Sequence, residues 1–560
     1  MAQWYPAGFS GCGHLPSTVA AVFPGVVDLR ACATAASSHV RAVGTGMRNT
    51  HARLGMASSP RFTFKRDQER SLDARCSQGR PWAAQLSREA QTSRLHSAMK
   101  ASAWRALAVT LVLWSSGVPA QARQGQALPG VALGSVIHDL ARKNGVLVPH
   151  LNALWPGGDQ ANTTLVLTDG AEVYEITGSM VKRLPESALA EVRTYIDINQ
   201  PRSFQVVPSQ RKAYYRFSLH LPPTQAAPPL IADALDEFLG FVYHEQFHFL
   251  VQPEWPRSPD TLNPDIYEDY PSDPLPRAYR RALAQSLRTA LLSREPAGRQ
   301  AALRQAAGLF TGWKTQYPDE VRRSRSTDLL EGTATYFEAR LRLLAQGLDG
   351  DPAALGDRLD QITRVTPPGL RVEGYQLGAL AGLLLDQVDP ERQWTGEVQG
   401  GQTPVEVLLR RFPQPSQAPP AAVVEAVRTL AGQLESAVAP RLDPVIAGYE
   451  AGQPLLRVPG EIVGSFHVRG GFYRSARMPG WGLVTLSSIR VRTEAGEVEV
   501  KDVVWMQNLD QVEERGLTVL LDPTWVSEEG GVLTVRSPHF SRPLLATVKD
   551  EQGRTIYTAR

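Results

Sequence analysis

From Leu230 to Leu250 the apolar residues Ile231, Leu235, Phe238, Leu239, Val242 and Phe249 recur at three- and four-residue steps, the period of a helix with a buried face. Pro228 and Pro229 stand before this run and Pro253 after it, where proline lets a helix begin and stops it continuing. Upstream the period changes to two. Thr164-Leu-Val-Leu-Thr168 and Glu172-Val-Tyr-Glu-Ile-Thr177 flank the turn dipeptide Asp169-Gly170, which predicts a β-hairpin. Helical spacing returns over Ser135–Lys143 and Glu186–Ile196. The stretch Lys212–Pro222 alternates as a strand ahead of the helix that follows.

Beyond residue 277 the period is helical as far as about residue 451, broken at Gly347–Pro352, Pro367–Gly369 and Phe412–Pro420. The last hundred residues differ. Glu461–Val468, Leu483–Thr493, Glu497–Met506, Leu517–Leu521, Leu533–Ser537 and Leu544–Lys549 read as strands between Gly- and charge-rich turns, the spacing of a small β-sandwich or barrel. The fold class is therefore α+β. An N-terminal α+β region spans residues 123–228, a helical region residues 229–455, and a β-rich accessory region residues 456–560.

Composition sharpens the N-terminal end. The net charge of the 560 residues is only +3, which points to no nucleic-acid partner. That small value hides an asymmetry: residues 1–98 hold 12 Lys+Arg against 5 Asp+Glu, and all three cysteines, Cys12, Cys32 and Cys76. At Met99 a basic start (Lys100, Arg105) leads into the apolar run Ala106–Trp114 and then the small-x-small end Ala120-Gln121-Ala122, the anatomy of a secretory signal peptide. Such peptides stand first in a chain, so translation is expected to start at Met99. Residues 1–98 then read as upstream mis-translation or a disordered extension. The mature chain, from near Arg123, carries no cysteine and no apolar run long enough to span a bilayer, so it is expected to be secreted or periplasmic with no stable membrane insertion.

The chemistry lies in the Leu230–Leu250 helix. It contains His244-Glu245-Gln246-Phe247-His248. Positions four apart on a helix share a face, so both imidazoles can reach one metal ion, with Glu245 beside them to activate a water. A catalytic zinc takes a third protein ligand. The best candidate is Glu331 in Leu329-Leu-Glu331-Gly-Thr-Ala-Thr-Tyr-Phe-Glu338, on a helical run preceded by the N-cap types Ser326, Thr327 and Asp328. Gly332 and Ala334 would let that helix approach the metal helix closely.

The segment Glu331-Gly-Thr-Ala-Thr-Tyr-Phe-Glu338 resembles the Glu-Gly-Phe-Ala-x-Tyr-x-Glu segment of gluzincin metallopeptidases, notably the aminopeptidase-N-like family. There the first Glu is the third zinc ligand. The family also has a Tyr-x-x-Gly at the start of an apolar helix, whose Tyr donates to the oxyanion. Gly374-Tyr375-Gln376-Leu377-Gly378 is similar to it. The resemblance covers roughly residues 230–390. It implies a zincin-like catalytic domain, Zn²⁺ held by His244, His248 and Glu331, Glu245 as general base, Tyr375 as oxyanion donor, and a peptide or protein substrate. This chain departs from the family in two ways. His248 and Glu331 are far more than the family's roughly twenty residues apart, and the Gly-Ala-Met-Glu-Asn segment that reads a substrate's free amine is absent. Aminopeptidase activity therefore does not carry over. Two alternatives stay open: a non-catalytic exported binding protein with a vestigial metal site, and a zinc hydrolase acting on cell-wall material.

Overall fold

A computed structural model describes residues 131–559, apart from 199–202, 220–227, 257–266, 349–369, 464–466, 510–515 and 552. The expected signal peptide at Met99–Ala122, the extension before it and the start of the mature chain lie outside the described residues. No helix among the described residues is long and apolar enough to cross a membrane.

The chain opens with helix α1 (Leu133–Leu154), longer than its apolar period suggests because it runs on through Pro149. Its buried face (Leu133, Ile137, Leu140, Leu147 and Leu151) joins the main core. Strands β1 (Thr164–Thr168) and β2 (Val173–Thr177) pair antiparallel around Asp169-Gly170, as the turn chemistry requires. Gly170 sits at φ 91°, and the Asp169 carboxylate accepts the backbone N–H groups of Ala171 and Glu172, each at 3.0 Å. Strand β3 (Met180–Arg183) extends the hairpin, and helix α2 (Ala188–Tyr195) follows.

Strand β4 (Phe204–Val207) and strand β5 (Lys212–Arg216) complete a five-stranded sheet in the order β3-β2-β1-β5-β4. β5 lies inside the sheet, parallel to β1, and β4 takes the edge. Four residues of β4 are too short a run for a period of two to declare itself. Leu165, Leu167 and Tyr215 turn to one face of this sheet and join the main core. Val166 and Tyr214 turn to the other and pack with Val192 and Ile196 of the α2 segment. That is the alternation a pleated strand imposes.

Helix α3 (Pro228–Leu250) lies against the first face. The Tyr215 hydroxyl donates to the carbonyl of Val242 at 2.8 Å, and the Tyr243 hydroxyl donates to Asn144 of α1 at 2.6 Å. Every residue from Phe238 to His248 is buried, so this part of α3 is enclosed on all sides. Phe247, between the two histidines in sequence, enters an aromatic cluster with Trp155 and Phe337 at ring distances of 5.2 and 4.8 Å.

Three helices then follow in close succession, each opened by a proline in its first turn: α4 (Pro274–Leu292), α5 (Pro296–Gln316) and α6 (Pro318–Ala345). After them comes α7 (Leu370–Val388), then the short α8 (Trp394–Gln399) and α9 (Pro404–Leu409), then the long α10 (Ala421–Glu450). Gly374, Gly378 and Gly382 of α7 face α6. A Cβ on Gly378 would meet the Cα of Gly332, and one on Gly382 would meet the Tyr336 ring at 2.4 Å. Glycine at these points is what lets two backbones touch.

The C-terminal strands join in one connected sheet, not a set of separate hairpins. They are β7 (Leu455–Pro459), β8 (Glu461–Ile462), β9 (His467–Arg474), β10 (Trp481–Thr493), β11 (Gly496–Asn508), β12 (Gly516–Leu520), β13 (Val526–Glu529), β14 (Val532–Val535), β15 (Leu544–Glu551) and β16 (Arg554–Ala559). The longest pairing is the antiparallel β10–β11 hairpin. A two-residue strand from the helical region, β6 (Glu268–Asp269), adds to this sheet beside β9. Tyr267 just before it is fully buried in the β-region core, against Gly482. Asp269 binds Arg474 at 2.6 Å and Arg323 of α6 at 3.2 Å.

Candidate metal centre

His244 and His248 stand one helical turn apart on α3, and Glu331 comes to them from α6. Their metal-competent atoms all lie within 4.8 Å of one another, and all three residues are buried. Nε2 of His244 is 3.1 Å from Nε2 of His248. Oε2 of Glu331 is 3.3 Å from the first and 3.5 Å from the second. The other oxygen, Oε1, is buried with no hydrogen-bond partner among the described residues. The long separation in sequence between His248 and Glu331 is taken up by α4 and α5, so the ligand helix still lies directly against the metal helix.

The far sides of the two rings decide what those facing nitrogens are. Nδ1 of His244 faces the Glu338 carboxylate at 3.2 Å. The charge of that carboxylate favours a hydrogen on this nitrogen, although the two atoms make no aligned hydrogen bond. Nδ1 of His248 is 2.6 Å from Oε1 of Gln252. The Gln252 amide nitrogen donates to the backbone carbonyl of Leu330 at 2.8 Å, and a carbonyl can only accept. The amide is therefore oriented with its oxygen toward His248, and that Nδ1 too carries its hydrogen. Two imidazole lone pairs and a carboxylate oxygen then converge on one point. Three such acceptors repel unless positive charge sits among them, either an extra proton or a metal cation.

The charge states follow the same demand. Burial pulls His244 down, but Glu331 and Glu338 more than offset it and lift the ring to about 10. Burial pushes Glu331 up, and the two histidines override it, holding the carboxyl well below its usual range. Burial raises Glu245 to about 7, with His244 and His248 pulling the other way. Tyr375, from the first turns of α7, is buried, and its ring lies parallel to that of His244 at 6.2 Å.

All five residues singled out in the sequence thus gather on α3, α6 and α7. Two others escaped notice there, Gln252 and Glu338. Each had a signal in the spacing. Gln252 is four residues after His248, just past the end of α3, and Glu338 is seven after Glu331, on the same face of α6. Behind the site lies a second charged group. Arg277 and Arg280 of α4 meet Glu320, Asp328 and Glu373. Arg280 reaches Asp328 at 2.6 Å and Glu373 at 3.0 Å, and Arg277 binds both Glu320 and Glu373. These side chains tie α4 to the helices that carry Glu331 and Tyr375. No family model, no curated protein and no solved structure matches this chain.

Proposed function

We propose that this chain is an exported zinc-dependent metallopeptidase of gluzincin-like type, with a zincin-like catalytic region that joins the five-stranded sheet to α3, α6 and α7. The observation that carries the reading is the converging acceptor set of His244, His248 and Glu331. Ligands 2.0–2.1 Å from a tetrahedral ion stand roughly 3.3–3.4 Å apart. The three separations here are 3.1, 3.3 and 3.5 Å. Two imidazoles and a carboxylate are a zinc-type donor set that leaves one position for substrate.

Zinc held there supplies Lewis acidity, making water a stronger acid and polarising a carbonyl. The chain's own residues do the rest. Glu245 takes a proton from the attacking water and passes it to the leaving amine, work suited to a carboxyl held at about 7. Tyr375 donates its hydroxyl hydrogen to the oxyanion. Glu338 and Gln252 hold the ligand rings in the tautomer that offers Nε2. His244, Glu245, His248 and Glu331 are each at most 5% exposed, so the site is shielded from bulk water. Peptide and protein substrates are favoured over cell-wall material by the likeness of the Glu331 and Tyr375 segments to peptidase motifs. Export rests on the Met99–Ala122 signal.

The test is metal analysis of the purified chain together with digestion of a broad peptide library. One zinc per chain and cleavage that a chelator abolishes support the reading. A metal-free chain under zinc-replete conditions overturns it. Zinc without cleavage of any peptide overturns the peptidase assignment and leaves the metal centre.

A further inference from the structure

Gln252 lies at the C-terminal end of α3, where the chain turns out of the helix, yet its side chain is fully buried. A buried amide carries a desolvation cost that its hydrogen bonds must offset. It makes two, and both concern the metal centre. Oε1 accepts from Nδ1 of His248 at 2.6 Å, and Nε2 donates to the carbonyl of Leu330 at 2.8 Å. Leu330 is the residue before Glu331. One side chain therefore links a ligand on α3 to the backbone that carries the ligand on α6.

The two histidines are supported in different ways. His244 leans on Glu338 of α6, a side chain 16% exposed and also in contact with Arg342. His248 leans on an amide that is itself pinned to main chain. The orientation of Gln252 is dictated by Leu330, because a carbonyl oxygen accepts and never donates. The link thus passes a fixed orientation from α6 to the His248 ring.

Resting on the metal-site reading above, we propose that Gln252 is a positioning residue. It locks His248 in the tautomer that presents Nε2 and sets the spacing between His248 and Glu331. It touches no substrate. Supporting partners of this kind commonly contribute 10–100-fold in metal affinity.

The experiment uses the full chain with zinc and with cobalt(II) as probes. Gln252→Met keeps the volume and removes both hydrogen bonds. Gln252→Glu keeps an acceptor for His248 while altering the contact with Leu330. Zinc affinity is measured by competition with a chelating dye, the cobalt visible spectrum reports ligand geometry, and thermal melting of the metal-free proteins tracks folding separately. The expected result is a zinc affinity roughly 10–100-fold weaker for Gln252→Met, with a shifted cobalt spectrum, and a partial return of both in Gln252→Glu. Zinc affinity within threefold of wild type in Gln252→Met, with an unchanged cobalt spectrum, overturns the proposal. So does a Gln252→Glu protein no better than Gln252→Met, since that marks a packing role. A wild-type chain that binds neither metal removes the metal-site reading along with this one, whereas a zinc-binding wild type indistinguishable from Gln252→Met removes this one alone.

Discussion

Gly378 lies so close to Gly332 that a Cβ added to it would stand 2.2 Å from the Gly332 Cα. This is the point where α6 and α7 touch backbone to backbone. It falls one residue after Glu331 and three after Tyr375, so the crossing sets the third ligand and the candidate oxyanion donor together.

Gly378→Ala should therefore force the two helices apart. The expected cost is about 1–3 kcal/mol of stability, the usual range for overpacking, together with weaker zinc binding. Gly432→Ala, on an exposed turn of α10 with open space around it, should change stability in the opposite direction by up to about 1 kcal/mol. Urea melts of both variants and a zinc titration decide the matter. Equal effects from the two would show that the crossing is not tight.

Glu245→Gln keeps the shape of the side chain and removes its basicity. Zinc content should stay at the wild-type level while peptide hydrolysis falls by roughly 10²–10⁴-fold. Metal analysis and single-turnover cleavage measure the two separately. Full hydrolysis in this variant would exclude Glu245 as the base.

Glu331→Gln and Tyr375→Phe should divide the same two readouts differently. The first removes the anionic ligand, and zinc affinity should drop further than the roughly 10–100-fold that a supporting residue contributes. The second should keep the metal and lower kcat by about 10²–10³-fold, as expected for one lost oxyanion donor. A Tyr375→Phe protein with normal kcat would leave that ring as packing against His244.

The buried network behind the site predicts a pH dependence. Arg277 and Arg280 face Glu320, Asp328 and Glu373, three carboxyls against two guanidiniums. Neutrality asks one carboxyl to hold a proton. Burial raises Glu373 to about 7, Arg277 and Arg280 oppose the rise, and its Oε1 has no partner. A carboxyl raised in the folded state binds more protons folded than unfolded between the ordinary 4.5 and about 7. Stability from this group is thus present at acid pH and lost as pH rises through that window, by about 3 kcal/mol in all. Glu373→Gln should remove this part of the slope. The check is the difference in urea midpoint between variant and wild type from pH 5 to 8. A constant difference would show that Glu373 does not titrate there.

The metal group is legible in the sequence because helical geometry alone joins His244 to His248, and because the small residues after Glu331 mark a helix able to come close. The hairpin at Asp169-Gly170 is legible for the same local reason. Gln252 and Glu338 are not, although their spacing fits. Their roles depend on which way a side chain turns at a helix end and on where α6 crosses α3, and neither is a local property. Strands β7, β13 and β16 are short or half polar and fall below what alternation reveals. Strand β6 had no signal at all. Two residues, Glu268 and Asp269, pair with Tyr473 and Arg474 about two hundred positions later, a match that only the assembled protein makes.

That pairing bears on how the gene can be cut or shuffled. A fragment that starts at residue 456 would reproduce most of the C-terminal strands yet leave an empty socket where Tyr267 belongs. The complementary fragment would carry a bare aromatic ring on the segment that follows the metal helix. A recombinant that separates the two halves is therefore expected to be less stable than one that carries residues 267–270 along with the strands they complete.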